Sequence, residues 1–217
     1  AEPGAADALA GEALAARGGI DLLVAAAGVG WSGPAVAMSE RTLERMVAVN
    51  LLAPMRLARL LVPGMVRRGS GHLVFVGSVA GATGVAGEAV YAATKAGLDA
   101  FAESLRLELS GSGVTVSVVV PAAVRSPFFD GRGRPYDRRL PRPVEPETVA
   151  DAILDAIRRG RSQVWVPRWV RAASVVRALA PTTFQRLSAR FGEPVRIRAA
   201  NDHEADPAGG PEGSAGP

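Results

Sequence analysis

The chain contains no cysteine, which excludes a disulfide scaffold and a thiolate metal site. Histidine occurs only at positions 72 and 203, too few for a histidine metal centre or a histidine-driven triad. Aromatic residues make up 5% of the chain, and no basic patch is interleaved with them. The net charge of +4 and a pI near 10.5 are therefore weak pointers to nucleic acid, and no nucleic-acid partner is expected. No secretory signal pattern opens the sequence, and no uninterrupted apolar run approaches the roughly 20 residues of a spanning helix. The expectation from these features is a cytoplasmic location. Lysine is scarcer still. Lys95 is the only one, and the other 24 basic residues are arginine.

What is present suits one domain. The chain has 217 residues, 48% hydrophobic and 21% charged, enough for a sizeable core. Strand and helix patterns alternate. Residues 5–17 read as an alanine-rich helix and 20–27 as an apolar strand. Residues 40–67 read as one or two helices, with Ser39 as N-cap and a break at Pro63. A strand at 72–78, a helix at 89–110, a β-branched strand at 114–120, a helix at 146–159 and a short strand at 163–166 follow. Residues 126–145 are rich in arginine and proline without periodicity and read as a loop. Residues 168–191 read as helical with an interruption at Pro181, and 199–217 as a disordered tail. Alternation of this kind predicts an α/β fold, a doubly wound parallel sheet with helices on both faces.

The lone lysine follows Tyr91 by four residues, in Tyr91-Ala92-Ala93-Thr94-Lys95. On a helix these two positions share a face. A compact ammonium beside a phenol favours the phenolate, so the expectation is a lowered Tyr91 pKa and a usable acid or base. Ser78 lies thirteen residues before Tyr91, just after the apolar strand Leu73-Val74-Phe75-Val76. That is the carboxyl end of a strand, where open α/β sheets bind ligands. Asn50 sits inside the long apolar helix pattern, an unfavourable place for an asparagine. It reads equally as a helix irregularity or a satisfied buried amide.

Asn50, Ser78, Tyr91 and Lys95, in this order and spacing, resemble the catalytic tetrad of the classical short-chain dehydrogenase/reductase family. Asp21-Leu22-Leu23-Val24-Ala25-Ala26-Ala27-Gly28 resembles that family's fourth-strand segment, with alanines where asparagines are usual. Gly77-Ser78-Val79-Ala80-Gly81 resembles its serine motif, and Pro121-Ala122-Ala123-Val124-Arg125-Ser126 its segment after the sixth strand. The similarity runs from about residue 5 to about residue 167. It implies a Rossmann-like domain over 1–198 that interconverts a secondary alcohol and a ketone with NAD or NADP. By resemblance, Tyr91 moves the proton, Lys95 lowers the Tyr91 pKa and holds ribose hydroxyls, Ser78 binds the substrate oxygen and Asn50 holds a relay water. The cofactor side would comprise Ala26, Gly28, Tyr91, Lys95, Pro121, Val124 and Ser126.

The family's glycine-rich turn after a first strand has no match in this chain, so the N-terminal half of the sheet is expected to be missing. The alternative is then an inactive, truncated scaffold that serves only for oligomerisation. The resemblance implies a homodimer or homotetramer through 43–61 and 91–109. The stretch 43–61 is apolar on nearly every face and is expected to be buried on more than one side. The loop 126–145 and the helix 168–191 are expected to shape the pocket for a small alcohol or carbonyl substrate. The latter, basic and amphipathic, is also compatible with peripheral contact to a membrane surface.

Overall fold

The computed structural model describes residues 4–137 and 140–191. The tail at 199–217 lies outside the described residues. Four strands form one parallel sheet in chain order: β1 (Leu22–Ala25), β2 (Gly71–Val76), β3 (Val114–Pro121) and β4 (Gln163–Val166). Parallel neighbours require crossovers, and helices supply them. They are α1 (Ala5–Arg17), α2 (Glu40–Val47), α3 (Ala53–Arg68), α4 (Val79–Thr83), α5 (Ala89–Glu108), α6 (Phe128–Gly131), α7 (Pro146–Arg159), α8 (Arg171–Leu179) and α9 (Pro181–Phe191). The α/β fold expected from the sequence is the one observed.

Strand alternation sorts the core into two layers. Leu73, Phe75, Val116, Val118 and Val120 point to one face, where α1, α3 and α5 contribute Ala10, Leu61, Met65, Leu98, Ala102 and Leu105. Val74 and Val119 point to the other, against Val149 and Ala156 of α7. Phe75 meets Phe101 of α5 edge-on, with ring centroids 5.8 Å apart. Beyond α7 no described residue covers that second face along β1, where Leu22 and Val24 are 43% and 39% exposed.

Ser39 caps α2, its hydroxyl accepting the Thr42 N–H at 3.2 Å. From there helix runs unbroken to Arg68, and the expected break at Pro63 does not occur. Pro63 is exposed and lies between buried Leu61 and Met65, so burial of its neighbours offsets the lost backbone bond. The continuous helix Glu40–Arg68 is 29 residues long, and an 18-residue window reaches a mean hydropathy of 1.4. By length and composition alone it could cross a membrane, so the expectation that no segment reaches that length is corrected. In this fold it buries one stripe against the domain: Met46, Asn50, Pro54, Ala58, Leu61 and Met65. Leu43 and Leu52, at 36% and 39% exposure, leave the other side of the helix open in the single chain.

Candidate active site

Between α2 and α3 the helix widens to a π turn at Ala48–Leu52, centred on Asn50. A π turn offers one extra residue per turn and marks many functional sites. The asparagine is 1% exposed and fully engaged. Its Oδ1 accepts the Val29 N–H at 2.8 Å, and its Nδ2 donates to the Val29 carbonyl at 2.8 Å and to Thr94 Oγ1 at 3.2 Å. Asn50 is thus both a helix irregularity and a satisfied buried amide. Its amide fixes the loop after β1 against α5.

Ser78 follows β2 and caps α4, its hydroxyl accepting the Ala80 N–H at 3.2 Å. The same hydroxyl lies beside Tyr91 and eases ionisation of its phenol. Tyr91 and Lys95 occupy successive turns of α5. The Lys95 ammonium lies 5.9 Å from the Tyr91 ring centroid and donates to the Val76 carbonyl at 2.8 Å. Gly81 sets the spacing of the two helices. A Cβ there would fall 2.7 Å from the Ala96 backbone nitrogen and 2.8 Å from the Lys95 carbonyl carbon. The α4 and α5 backbones touch, which brings Ser78 to Tyr91.

These groups open onto a cavity of about 440 Å³. All seven residues assigned to the cofactor side line it: Ala26, Gly28, Tyr91, Lys95, Pro121, Val124 and Ser126. Ser78 lines it too, whereas Asn50 stands behind Gly28. The opposite wall is apolar, built from Val85, Phe128, Phe129, Tyr136, Pro141, Val149 and Ile153. Phe128 lies 5.3 Å from Tyr91, centroid to centroid. It rests on Gly30, where a Cβ would come 2.6 Å from its ring.

Loop 128–137 is fastened from below. Arg132 pairs with Glu88, the two side chains 5% and 10% exposed. It donates to the Arg134 carbonyl at 2.9 Å and the Pro135 carbonyl at 3.3 Å, and stacks 4.7 Å above Phe129. The helical stretch at 168–191 supplies none of the lining residues, contrary to expectation. Instead α8 packs on α4, with Arg177 donating to the Ala82 carbonyl.

The electrostatics depart from the expectation that Lys95 lowers the Tyr91 pKa. Burial pushes the Tyr91 phenol up to about 12, and Glu88 raises it further. The Ser78 hydroxyl and the Arg132 charge oppose this without prevailing. Removing water penalises the phenolate more than these neighbours stabilise it. Burial likewise lowers Lys95 to about 8, with the Asp99 carboxylate opposing. Sequence reasoning passed over Thr94, Glu88, Asp99 and Arg132. The signals were faint: a threonine and an aspartate inside a helix, and an acid just before it.

The arrangement is one in which a phenol can exchange a proton with an oxygen held beside the Ser78 hydroxyl. The family profile described as short chain dehydrogenase matches residues 1–136. A ketoacyl reductase, HetN, of Nostoc is 35% identical over 186 residues, 81% of this chain and 63% of that protein. A short-chain dehydrogenase from Sphingobium yanoikuyae, solved in complex with NADPH, superposes with a TM-score of 0.72 at 30% identity, covering 94% of this chain and 75% of that one. The bulky-bulky ketone specific alcohol dehydrogenase from Comamonas testosteroni gives a TM-score of 0.64 at 29% identity over 90% of this chain and 70% of that one. This chain spans 55–63% of the length of the curated relatives it matches. With the profile covering most of its length and the sheet, cavity and motif residues in place, the chain belongs to the short chain dehydrogenase family.

Proposed function

We propose that the chain is the catalytic part of an NAD- or NADP-dependent oxidoreductase that interconverts a secondary alcohol and a ketone. The observation that carries this reading is that Ser78, Tyr91 and Lys95 line one cavity, the Ser78 hydroxyl beside the phenol and Lys95 one turn on.

The lining fits a nicotinamide and its ribose. Gly28 leaves bare the floor beside the polar groups. A Cβ there would lie 3.5 Å from Asn50 Oδ1 and 3.6 Å from Lys95 Nζ, inside the space a ligand needs. The Lys95 ammonium suits ribose hydroxyls, the Ser126 hydroxyl suits a carboxamide, and Ala26, Pro121 and Val124 suit a flat ring. Hydride acceptance or donation is what the nicotinamide supplies when bound. Ser78 orients the substrate oxygen toward Tyr91. Tyr91 donates its proton to that oxygen in reduction and recovers it in oxidation. Its high pKa keeps it protonated, the form that reduction requires. A bound substrate oxygen and a charged Lys95 would ease the reverse step. Asn50 holds the Val29 backbone and so keeps the loop carrying Gly28 in place.

The substrate side favours uncharged, bulky carbonyl compounds. The walls are aromatic and aliphatic, and the one lining carboxylate, Glu88, is engaged by Arg132. The neighbour described as specific for bulky-bulky ketones supports the same class. The exposed Leu43 and Leu52 support assembly as a homodimer or homotetramer through the long helix and α5.

The test is turnover of neutral prochiral ketones with NADH and NADPH. Tyr91→Phe should lower kcat by roughly 10²–10⁴-fold with the fold unchanged. Near-normal turnover in that variant would remove Tyr91 from the mechanism.

A further inference from the structure

Behind the reactive pair lies a carboxyl group that the proposed chemistry does not use. Asp99 is one helical turn beyond Lys95 on α5, between the helix and the sheet. Its Oδ1 is buried and accepts no hydrogen bond among the described residues. It faces Gly77, where a Cβ would lie 3.2 Å from it and 3.2 Å from Val118 Cγ1. Lys95 donates to the carbonyl of Val76, the residue before. Ammonium and carboxylate therefore flank the same strand end from the same helix. A side chain at 77 would crowd the carboxylate. A buried acceptor left without a donor is costly, so its retention calls for a reason.

We propose that Asp99 is a positioning residue that keeps Lys95 in its ammonium form at the cavity wall, acting across the end of β2 that the two groups flank. The other ionisable groups nearby are few. On α5 they are Tyr91 toward the cavity and Glu103 and Arg106 toward the far end. Arg106 is committed to the Val116 and Ser162 carbonyls. Glu88, before α5, is paired with Arg132. The residues of β2, α4 and β3 that border the two groups are Val76, Gly77, Ser78, Val118 and Val119, none of which titrates in the accessible range. Asp99 is thus the acidic group best placed to offset what burial does to Lys95. The directions agree: Asp99 raises the Lys95 pKa, and Lys95 lowers that of Asp99. At low dielectric such an attraction acts without direct contact. The charge on Lys95 is what ribose hydroxyls and a departing phenol proton would both sense.

The inference concerns ionisation in this chain and is read without turnover, so it fails or stands separately from the proposed reaction. The single lysine makes it measurable. Selective [13Cε]lysine labelling yields one lysine signal in the full chain, and its shift is followed against pH by NMR. The wild-type midpoint is expected near 8. Asp99→Asn should lower it by roughly one unit. Asp99→Glu, which keeps the charge, should restore most of the difference. An unchanged midpoint in Asp99→Asn, or equal shifts in the two variants, would overturn the proposal. If Asp99→Asn does not fold, the wild-type curve decides. A second small inflection in the lysine signal near pH 6, where Asp99 ionises, supports the coupling, and its absence refutes it.

Discussion

Asn50 grips Val29 by both of that residue's backbone polar groups, receiving its N–H and donating to its carbonyl, each at 2.8 Å. A side-chain amide here replaces a strand neighbour for a loop that has none. Asn50→Ala should destabilise the protein by about 2–3 kcal/mol, because it leaves a part-buried donor and acceptor of Val29 unmatched. Asn50→Asp keeps the acceptor and loses the donor, so it should fall between. Urea unfolding of the three proteins checks the order.

Gly81 and Gly11 should respond to alanine with opposite signs. At Gly81 the new methyl meets backbone atoms of α5 at 2.7 and 2.8 Å and cannot be accommodated by a rotamer change. A cost of about 1–3 kcal/mol is expected, with Ser78 and Tyr91 drawn apart. At Gly11, inside α1, nothing lies within 4 Å, and alanine should stabilise by up to about 1 kcal/mol. Thermal melts of both variants against wild type test the contrast.

Tyr91 and Tyr136 are the only tyrosines. In Tyr136→Phe, alkaline difference absorbance reports Tyr91 alone. Its midpoint should lie near 12 while circular dichroism shows folded protein. A midpoint below 10 would mean that the cation prevails over burial after all.

Stability should fall with pH across one window and rise across another. Asp99 ionises near 6 when folded against 3.8 as the ordinary value, so the folded state holds the extra proton and stability drops between those limits. Lys95 ionises near 8 when folded against 10.5, so the unfolded state holds the extra proton and stability climbs between those limits. His72, whose pKa burial lowers, adds a rise below about its ordinary value in every variant. Asp99→Asn should remove the first slope and Lys95→Met the second, as denaturant midpoints across pH will show.

The Glu88–Arg132 pair should be far more sensitive to loss of one partner than of both. Glu88→Gln strands a buried guanidinium and should cost about 3–5 kcal/mol. Adding Arg132→Met should recover much of that. A double-mutant cycle on unfolding free energy measures the coupling, and a coupling near zero would contradict it.

The sequence carried the strand–helix alternation because each crossover leaves a period that one chain can show. It carried Ser78, Tyr91 and Lys95 through their resemblance to the family's motifs, and the fold brings all three to one cavity. It did not carry the course of the chain through Pro63, since the neighbours that outweigh a proline are known only once the sheet beneath is. It misjudged the direction of the Tyr91 pKa for the same reason: charge is visible in a sequence, while exclusion of water is not. Asp99 and Thr94 look like ordinary helix residues until the sheet and the π turn are laid against them. The stretch at 168–191 shows an apolar stripe, but a stripe does not say which element it meets, and here α8 meets α4.

Arg132 has one more consequence. The groups of the reactive wall hang from β2, α4 and α5, whose spacing is set by backbone contact at Gly81. Part of the facing wall, Phe128, Phe129 and Tyr136, hangs from one segment held by the Arg132 guanidinium. The two walls meet where Phe128 packs on Tyr91 and Arg132 pairs with Glu88 at the start of α5. Exchange of residues 129–137 for a segment of different bulk, with an arginine kept at position 132 and Phe128 left on Tyr91, therefore changes what the cavity admits while the ring contact to Tyr91 stays.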